Sequence, residues 1–460
     1  MTIDRPALPN DRLSCKLSDR YNSPKFDFAM TRFFSALFGR ALWIRCHVYL
    51  ALCLGLVFAL IGLTGSLSIY RDALDELLNP SLVIKPSQPN LLALDNILAL
   101  VRQSEPNRHG VWILELPRKP SEPLTAWFEK PSESVDKTYA PLMLAINPYT
   151  GEILAKRFWG ETFSTWLLDL HSRLQWENDG RALMAMLAVF LSLSVMSGLY
   201  LWWPTIAGLK NAFRIHYRGS LMRFLLEMHR LIGVISAGLL LLLAFTGFHL
   251  AYPELLEKLT ASQGMGHGDQ GPTIRSTAVP NNHPVSIAEA ILVARGLFPH
   301  SEVRRISTPL GDLGTYRINL RQKDELNQHH PFTTVWVDRW SGQIRGVNNP
   351  RQFSAGQTFT TWQWPLHTGE AFGNTGRFVW FIAGLMPMML WVSGMAHWLQ
   401  RKNLLKDQSI DLPRDMSNLT VYCRRIVIRQ ARRIWERSVP WMEKTVRWLR
   451  THLQQLNSRF

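Results

Sequence analysis

Four stretches of about 20 residues contain no charged side chain: His47–Tyr70, Ala182–Trp203, Leu231–Tyr252 and Phe378–Leu399. Each is long enough, as a helix, to cross a hydrocarbon core about 30 Å thick. The competing reading, buried core helices of a large soluble protein, does not readily explain full-length runs without a charge. Gly55, Gly62, Gly198, Gly233, Gly238 and Pro387 fall inside these runs, and membrane helices tolerate them better than soluble ones do. With 47% hydrophobic residues, 18 Trp and 22 Phe in 460 positions, a disordered or fibrous chain is excluded.

Charge orients the spans. Residues 1–46, 204–230 and 400–460 carry net charges of +4, +4 and +9, whereas the whole chain is +16, so everything else sums to −1. Because Lys and Arg are retained in the cytoplasm, both termini and the 204–230 loop are expected there. The blocks 71–181 and 253–377 are then expected on the far side, the periplasm of a bacterium. The chain divides into an N-terminal extension (1–40), a first span (41–71), a first periplasmic block (72–170), an interfacial segment with the second span (171–204) and a cytoplasmic loop (205–226). A third span (227–252), a second block (253–366), an interfacial segment with the fourth span (367–399) and a basic tail (400–460) follow. The positive charge thus reports topology, with no nucleic-acid partner implied. In the tail, Arg424, Arg425, Arg429, Arg432, Arg433 and Arg437 alternate with Val421, Ile426, Ile428, Ile434 and Trp435. That pattern suits an amphipathic helix on anionic lipid, or a solvated basic tail. Cys15, Cys46, Cys53 and Cys423 all lie outside the far-side blocks, which excludes a disulfide framework there, and no C-x-x-C occurs.

The chain repeats itself. His47, Thr64-Gly65 and Tyr70 recur 182 residues later as His229, Thr246-Gly247 and Tyr252. His171, Gly180-Arg181, Ser197-Gly198 and Trp202 recur 196 residues later as His367, Gly376-Arg377, Ser393-Gly394 and Trp398. Each far-side block opens with a helix-like segment (Leu91–Arg102 and Ile287–Arg295) and ends in a hairpin. Those hairpins are Ala145–Ile153, turning on Asn147 and Gly151, and Val335–Ile344, turning on Asp338 and Gly342. The expected fold is a membrane α-helical protein: four transmembrane helices from a tandem duplication, with two periplasmic α+β blocks. The copies share one orientation, so a pseudo-twofold axis should run along the membrane normal.

Ionisable groups at membrane depth are costly and usually functional. Here they are histidines. His47 and His229 are equivalent and sit at the near (cytoplasmic) ends of their spans; His171 and His367 are equivalent and sit at the far face. Across a twofold axis each pair can face a planar macrocycle and give its iron one imidazole per side, so two pairs at two depths would hold two haems. Arg181 and Arg377 lie at the far interface, where they could pair with haem propionates, and Arg45 and Arg230 could do so at the near level. His249 and His397 have no counterpart, standing opposite Leu67 and Leu201. Either could replace a symmetric ligand or serve as a proton or substrate contact. Met386, Met388 and Met389 read as packing residues. His109, His216, His267, His283, His300, His329, His330 and His452 read as solvated, with His267 and His329-His330 as weak contacts for a metal-bearing substrate.

The run Arg45-Cys46-His47 through Leu63-Thr64-Gly65 to Leu77-Leu78-Asn79-Pro80 resembles the opening of PepSY-associated transmembrane helix proteins. Asn147–Gly151, Leu170-His171, Gly198–Pro204 and Trp364-Pro365-Leu366-His367-Thr368-Gly369 fit the same pattern, and the resemblance covers about residues 40–400. The family includes bacterial inner-membrane proteins of iron uptake, among them ferric-siderophore reductases with two non-covalent b-type haems. The resemblance therefore implies PepSY-like periplasmic blocks and periplasmic reduction of iron(III) chelates by electrons from the cytoplasmic side. It carries the ligand role to His47, His171, His229 and His367, and keeps His249, in Thr246-Gly247-Phe248-His249, in contention.

The expected activity is a di-haem b electron conduit across the inner membrane, reducing a ferric siderophore and so releasing Fe(II). Trp159, Trp362 and Trp364 are candidate contacts for the chelate, against a reading as interfacial anchors. Gly266-His267-Gly268-Asp269-Gln270-Gly271 has dinucleotide-site spacing, but no strand precedes it and Pro272 follows. No Walker loop is present, so the electron donor should be a partner, either quinol or a cytoplasmic flavoprotein. Two other classes compete: a haem-free membrane module that binds a periplasmic partner, and a transporter of iron or its chelate.

Overall fold

The computed structural model describes residues 39–411 apart from 87–89, 263–272, 278, 280–282, 328–329 and 408. The N-terminal extension before residue 39, nearly all of the basic tail, the Gly266–Gly271 segment, His267 and His329 lie outside the described residues.

The four uncharged runs are long helices: α1 (Arg40–Ile69), α4 (Glu177–Trp202), α5 (Leu221–Ala251) and α8 (Gly373–Arg401). At about 1.5 Å per residue the shortest exceeds the thickness of a hydrocarbon core. Around the bundle the order is α1, α4, α5, α8, each packing on its two neighbours, so α1 faces α5 and α4 faces α8 across the centre. Small residues set the closest seam. Gly62 of α1 lies against the backbone of Gly384 of α8, and Ser66 donates its hydroxyl to the Phe381 carbonyl at 2.8 Å. Hydrogen bonds and close backbone approach of this kind replace the hydrophobic drive that is missing between helices in lipid. Two short helices sit at the end of the bundle where α1 and α5 finish. Helix α3 (Phe163–Arg173) packs on α1 and α4, and α7 (Gln363–Thr368) packs on α5. At the opposite end Arg218–Ser220 pairs with Ser409–Asp411 in a two-stranded ribbon, and Asp407 accepts hydrogen bonds from the Ser220 hydroxyl and Met222 amide at the start of α5.

Beyond the end carrying α3 and α7 lies one antiparallel sheet. Its strands are β1 (Trp112–Glu115), β2 (Leu124–Phe128), β3 (Leu142–Ile146), β4 (Ile153–Phe158), β5 (Glu302–Ser307), β6 (Thr315–Arg321), β7 (Thr333–Asp338) and β8 (Ile344–Asn348), in the order β4-β3-β2-β1-β5-β6-β7-β8. The sequence suggests two separate blocks. In the structure the two four-stranded meanders join edge to edge, with Ile113 opposite Ser307 and Glu115 opposite Arg305. The reason is physical: the first strand of each meander would otherwise leave a row of unpaired amides and carbonyls. Helices α2 (Leu94–Ser104) and α6 (Ile287–Leu297) cover one face. Ile97, Val101, Leu114, Leu144, Ile287, Ile306, Ile318 and Val335, from both halves, form a single buried core. Asp95 of α2 accepts from the Ile287 amide at the start of α6 at 2.9 Å, tying the halves further.

Both hairpins have the turn chemistry their sequence calls for. Asn147 Oδ1 accepts from the Tyr149 amide at 3.0 Å, and Asp338 Oδ1 accepts from Trp340 and Ser341 at 2.8 and 3.0 Å. Gly151 and Gly342 close the turns at φ of 78° and 69°, which only glycine adopts without strain. Asp338 is fully buried, and burial disfavours its charge. Amide donors from Ser341, Thr277 and Trp340, with the Arg345 guanidinium, outweigh that and hold the carboxyl below its usual range. Its contribution is complete above the unfolded value of about 3.9 and is lost as pH falls through the lower folded value. Asp338→Ala is expected to destabilise the sheet by about 2–4 kcal/mol, since it strands several buried donors. A melt followed by near-ultraviolet circular dichroism checks this, and an unchanged midpoint would contradict it.

Candidate cofactor site: two facing histidine pairs

The structure brings together both predicted pairs. His47 of α1 and His229 of α5 meet across the bundle with ring centroids 6.3 Å apart and planes at 86°. His171 of α3 and His367 of α7 meet at the sheet end with centroids 6.1 Å apart and planes at 38°. Gly65, which the His171 ring touches, lies 18 residues beyond His47 on α1, so the two levels are separated by about 27 Å of helix.

Each imidazole is held the same way. His47 Nδ1 lies 3.1 Å from the Ser194 carbonyl and 3.0 Å from Ser197 Oγ. His229 Nδ1 lies 3.0 Å from both the Leu390 carbonyl and Ser393 Oγ. His171 Nδ1 lies 3.0 Å from the Ile61 carbonyl, and His367 Nδ1 lies 2.8 Å from Thr246 Oγ1. Ser197, Ser393 and Thr246 already donate their hydroxyls to carbonyls of their own helices. A carbonyl accepts only, and these hydroxyl oxygens are left to accept. Nδ1 is therefore the protonated nitrogen, and Nε2 carries the lone pair. That tautomer is what an imidazole ligand requires, with the second nitrogen tethered to fix the ring.

Glycines make room for the rings. A Cβ on Gly198 would lie 3.0 Å from His47 Cε1, and on Gly65 2.6 Å from His171 Cε1. The corresponding distance is 3.2 Å for Gly247 to His367 and for Gly394 to His229. For three of the four, the carbonyl bound by Nδ1 belongs to the residue four before the glycine: Ser194 before Gly198, Leu390 before Gly394, Ile61 before Gly65. The imidazole lies over the glycine and reaches back one turn. Sequence reading picked out the Ser-Gly and Thr-Gly dipeptides as repeat marks. Their role as the wall and tether of each histidine was missed, although their fixed spacing to the histidines was the available signal.

The pairs suit one kind of cofactor. Among the described residues no group of three or more His, Cys, Asp or Glu side chains could enclose a bare metal ion. Two facing imidazoles would give a metal at most two ligands, so a metal held between them would have to bring its other ligands with it, as one in a planar macrocycle does. A metal held at about 2 Å from a nitrogen on each side puts the ring centroids about 6 Å apart. Both observed separations meet that value.

The other predicted residues are placed differently. Arg181 donates to the Ala251 carbonyl at 3.4 Å, and Arg377 to the Ile69 carbonyl while its guanidinium lies over the Tyr70 ring. These carbonyls end α5 and α1, where a helix lacks internal partners. Each arginine thus caps a helix of the other half. Arg45 and Arg230 are exposed beside the near pair. His249 is buried, 2% exposed, and lies two residues past Gly247, about 200° round α5 from it. It is off the face that meets His367, and its Nδ1 has no hydrogen-bond partner. His397 lies three residues past Gly394, and its Nδ1 also has no partner. Neither makes a ring contact with a second imidazole, although His397 lies close enough to His229 to interact with it electrostatically. Trp159 donates to buried Asp169 of α3 at 3.0 Å and packs on Trp127 and Tyr139, whereas Trp362 is 41% exposed. Trp364 packs edge-on to His330. His216 is bound to Glu227 at 2.9 Å.

Fold and site together define a four-helix membrane protein with paired, pre-oriented imidazoles at two levels and a sheet domain at one end. The family model for the PepSY-associated TM region matches residues 44–401. The chain belongs to that family. No curated protein matches it.

Proposed function

We propose that this protein is a di-haem b electron conduit of the bacterial inner membrane that reduces iron(III) chelates in the periplasm. Both termini and the 204–230 loop are cytoplasmic, the sheet is periplasmic, and the two halves descend from a tandem duplication. The observation that carries this reading is the pair of facing histidine couples at two depths, each ring tethered through Nδ1. His47 and His229 would hold the haem nearer the cytoplasm, and His171 and His367 the one nearer the sheet. A bound haem supplies one-electron iron(II)/iron(III) chemistry, which the side chains of this chain lack.

The chain's own residues set the conditions for that chemistry. The carbonyl, serine and threonine tethers fix each tautomer and ring direction. Apolar helices surround the imidazoles, and in lipid they would keep the site poor in water, so charge on a bound metal would be little screened. No acid, base or nucleophile is needed. The acceptor would be a ferric siderophore, because reducing its metal weakens hard-oxygen chelation and frees the iron. The donor, quinol or a cytoplasmic flavoprotein, is a partner, and membrane lipid surrounds the bundle.

An absorption spectrum of the detergent-purified protein, oxidised and dithionite-reduced, tests the reading. Low-spin bis-imidazole bands with about two haems per chain are expected. Protein made in haem-replete cells that contains none would refute the conduit.

A further inference from the structure

One helical turn beyond the near histidine pair, toward the ribbon end, three buried nitrogens have no hydrogen-bond partner. They are Trp43 Nε1, Trp202 Nε1 and His397 Nδ1. Trp43 precedes His47 by four residues on α1. Trp202 follows Gly198, the wall of His47, by four on α4. His397 follows Gly394, the wall of His229, by three on α8. Residues three or four apart share a helix face, so spacing puts these groups on three helices at the mouth of the near site, with the Trp43 ring against Tyr200 and the Trp202 ring against Phe213. Leu225, four residues before His229, stands on the fourth.

The mouth is not symmetric. Leu225 is the counterpart of Trp43, and Leu201 is the counterpart of His397. Trp43 and His397 therefore lack the balancing groups that the repeat would supply, whereas Trp202 keeps its counterpart in Trp398. Buried polar groups left unpaired are costly, and they are usually explained by a ligand or by water. The Trp43 ring lies 5.4 Å from that of Tyr200, and Tyr200 is 46% exposed on the outer surface of the bundle, where α1 and α4 meet. A ligand arriving there comes from the lipid. It would be flat enough to lie against Trp43, and it would carry oxygens for two N–H donors and a hydroxyl for an imidazole.

We propose that this mouth is a quinol-oxidising site, with Trp43, Trp202 and His397 binding the head group of a membrane hydroquinone. The proposal rests on the di-haem reading and names its donor. Oxidation of the hydroquinone to the quinone releases two electrons and two protons. A haem held by His47 and His229 would supply the one-electron chemistry, passing the two electrons in turn toward two iron(III) chelates. The O–H bonds break, with one hydroxyl hydrogen-bonded to the imidazole, and both protons leave to water at the cytoplasmic face. His397 is a binding and positioning residue here, and is separate from the ligands His47 and His229.

The test uses the full chain with its haems, in liposomes, with decylubiquinol as reductant and decylubiquinone as binding probe. The wild type is expected to be reduced by decylubiquinol. His397→Leu, which installs the side chain found at Leu201, and Trp43→Leu, which installs that of Leu225, should each slow this reduction at least about tenfold. Haem content, the low-spin spectrum and reduction by dithionite should stay unchanged, and equilibrium binding of decylubiquinone should weaken in parallel. A haem-loaded wild type that decylubiquinol does not reduce would overturn the site. So would variants that are reduced as fast and bind decylubiquinone as tightly as wild type. Protein without haem would instead sink the conduit itself.

Discussion

On the di-haem reading proposed above, replacing His229 by alanine is expected to lower the haem content of the purified protein from about two per chain to about one. The remaining haem should keep its low-spin bis-imidazole bands. His229 faces His47 at 6.3 Å between ring centroids, and the other imidazole near it, that of His397, makes no ring contact with either. With one ring removed, the near site keeps a single axial ligand. Either the haem is lost, or it stays five-coordinate and high-spin, and both outcomes remove one low-spin signature. His171→Ala should do the same at the sheet end, leaving the near haem intact, because about 27 Å of helix separates the levels. His249→Ala should retain both haems, since His249 is on the other side of α5 from the His367 contact. Pyridine haemochrome content and the spin-state bands measure all three. Loss of haem from His249→Ala with none from His171→Ala would move the far ligand and dismantle the symmetric pair.

The membrane spans were legible because their signal is local: an uncharged run long enough to cross lipid has few other readings. The histidine pairs were legible for a different reason, since two copies of one pattern at fixed offsets imply two positions related in space. What the sequence could not deliver was contact between elements far apart in the chain. The β1–β5 seam pairs Ile113–Glu115 with Arg305–Ser307, and each strand alone reads as an ordinary meander strand. Two blocks were therefore expected where one sheet exists. The arginines show the same limit. Arg181 and Arg377 were placed at the right interface by the repeat, yet their partners are the helix-end carbonyls of Ala251 and Ile69, and a backbone carbonyl leaves no mark in composition. The tethers fall between these cases. Ser197, Ser393 and Thr246 were visible beside their glycines, but their meaning required knowing which helix each histidine leans on.

Gly65→Ala is expected to empty the far haem site while leaving the near one filled. The added methyl carbon would stand 2.6 Å from His171 Cε1, well inside van der Waals contact. One of the two must move. The backbone of α1 is fixed there by its own packing, with Gly62 against Gly384 one turn before and Ser66 bonded to the Phe381 carbonyl one residue after. The ring cannot slide away freely either, because its Nδ1 is bound to the Ile61 carbonyl of the same helix at 3.0 Å. Displacement breaks that hydrogen bond, releases the tautomer and moves the ring from its place 6.1 Å from that of His367. Loss of such a supporting contact typically costs about 10–100-fold in metal affinity, and here the ligand itself is also displaced. Gly238→Ala is the control: nothing lies within 4 Å of its added methyl, and α5 should gain slightly in helix propensity with both haems retained. Haem content measured for the two variants side by side separates a steric requirement at the ligand from a general intolerance of alanine in the bundle. Equal haem in both would show that the His171 ring does not need the space that Gly65 leaves, and would remove the glycine wall from the account of the site.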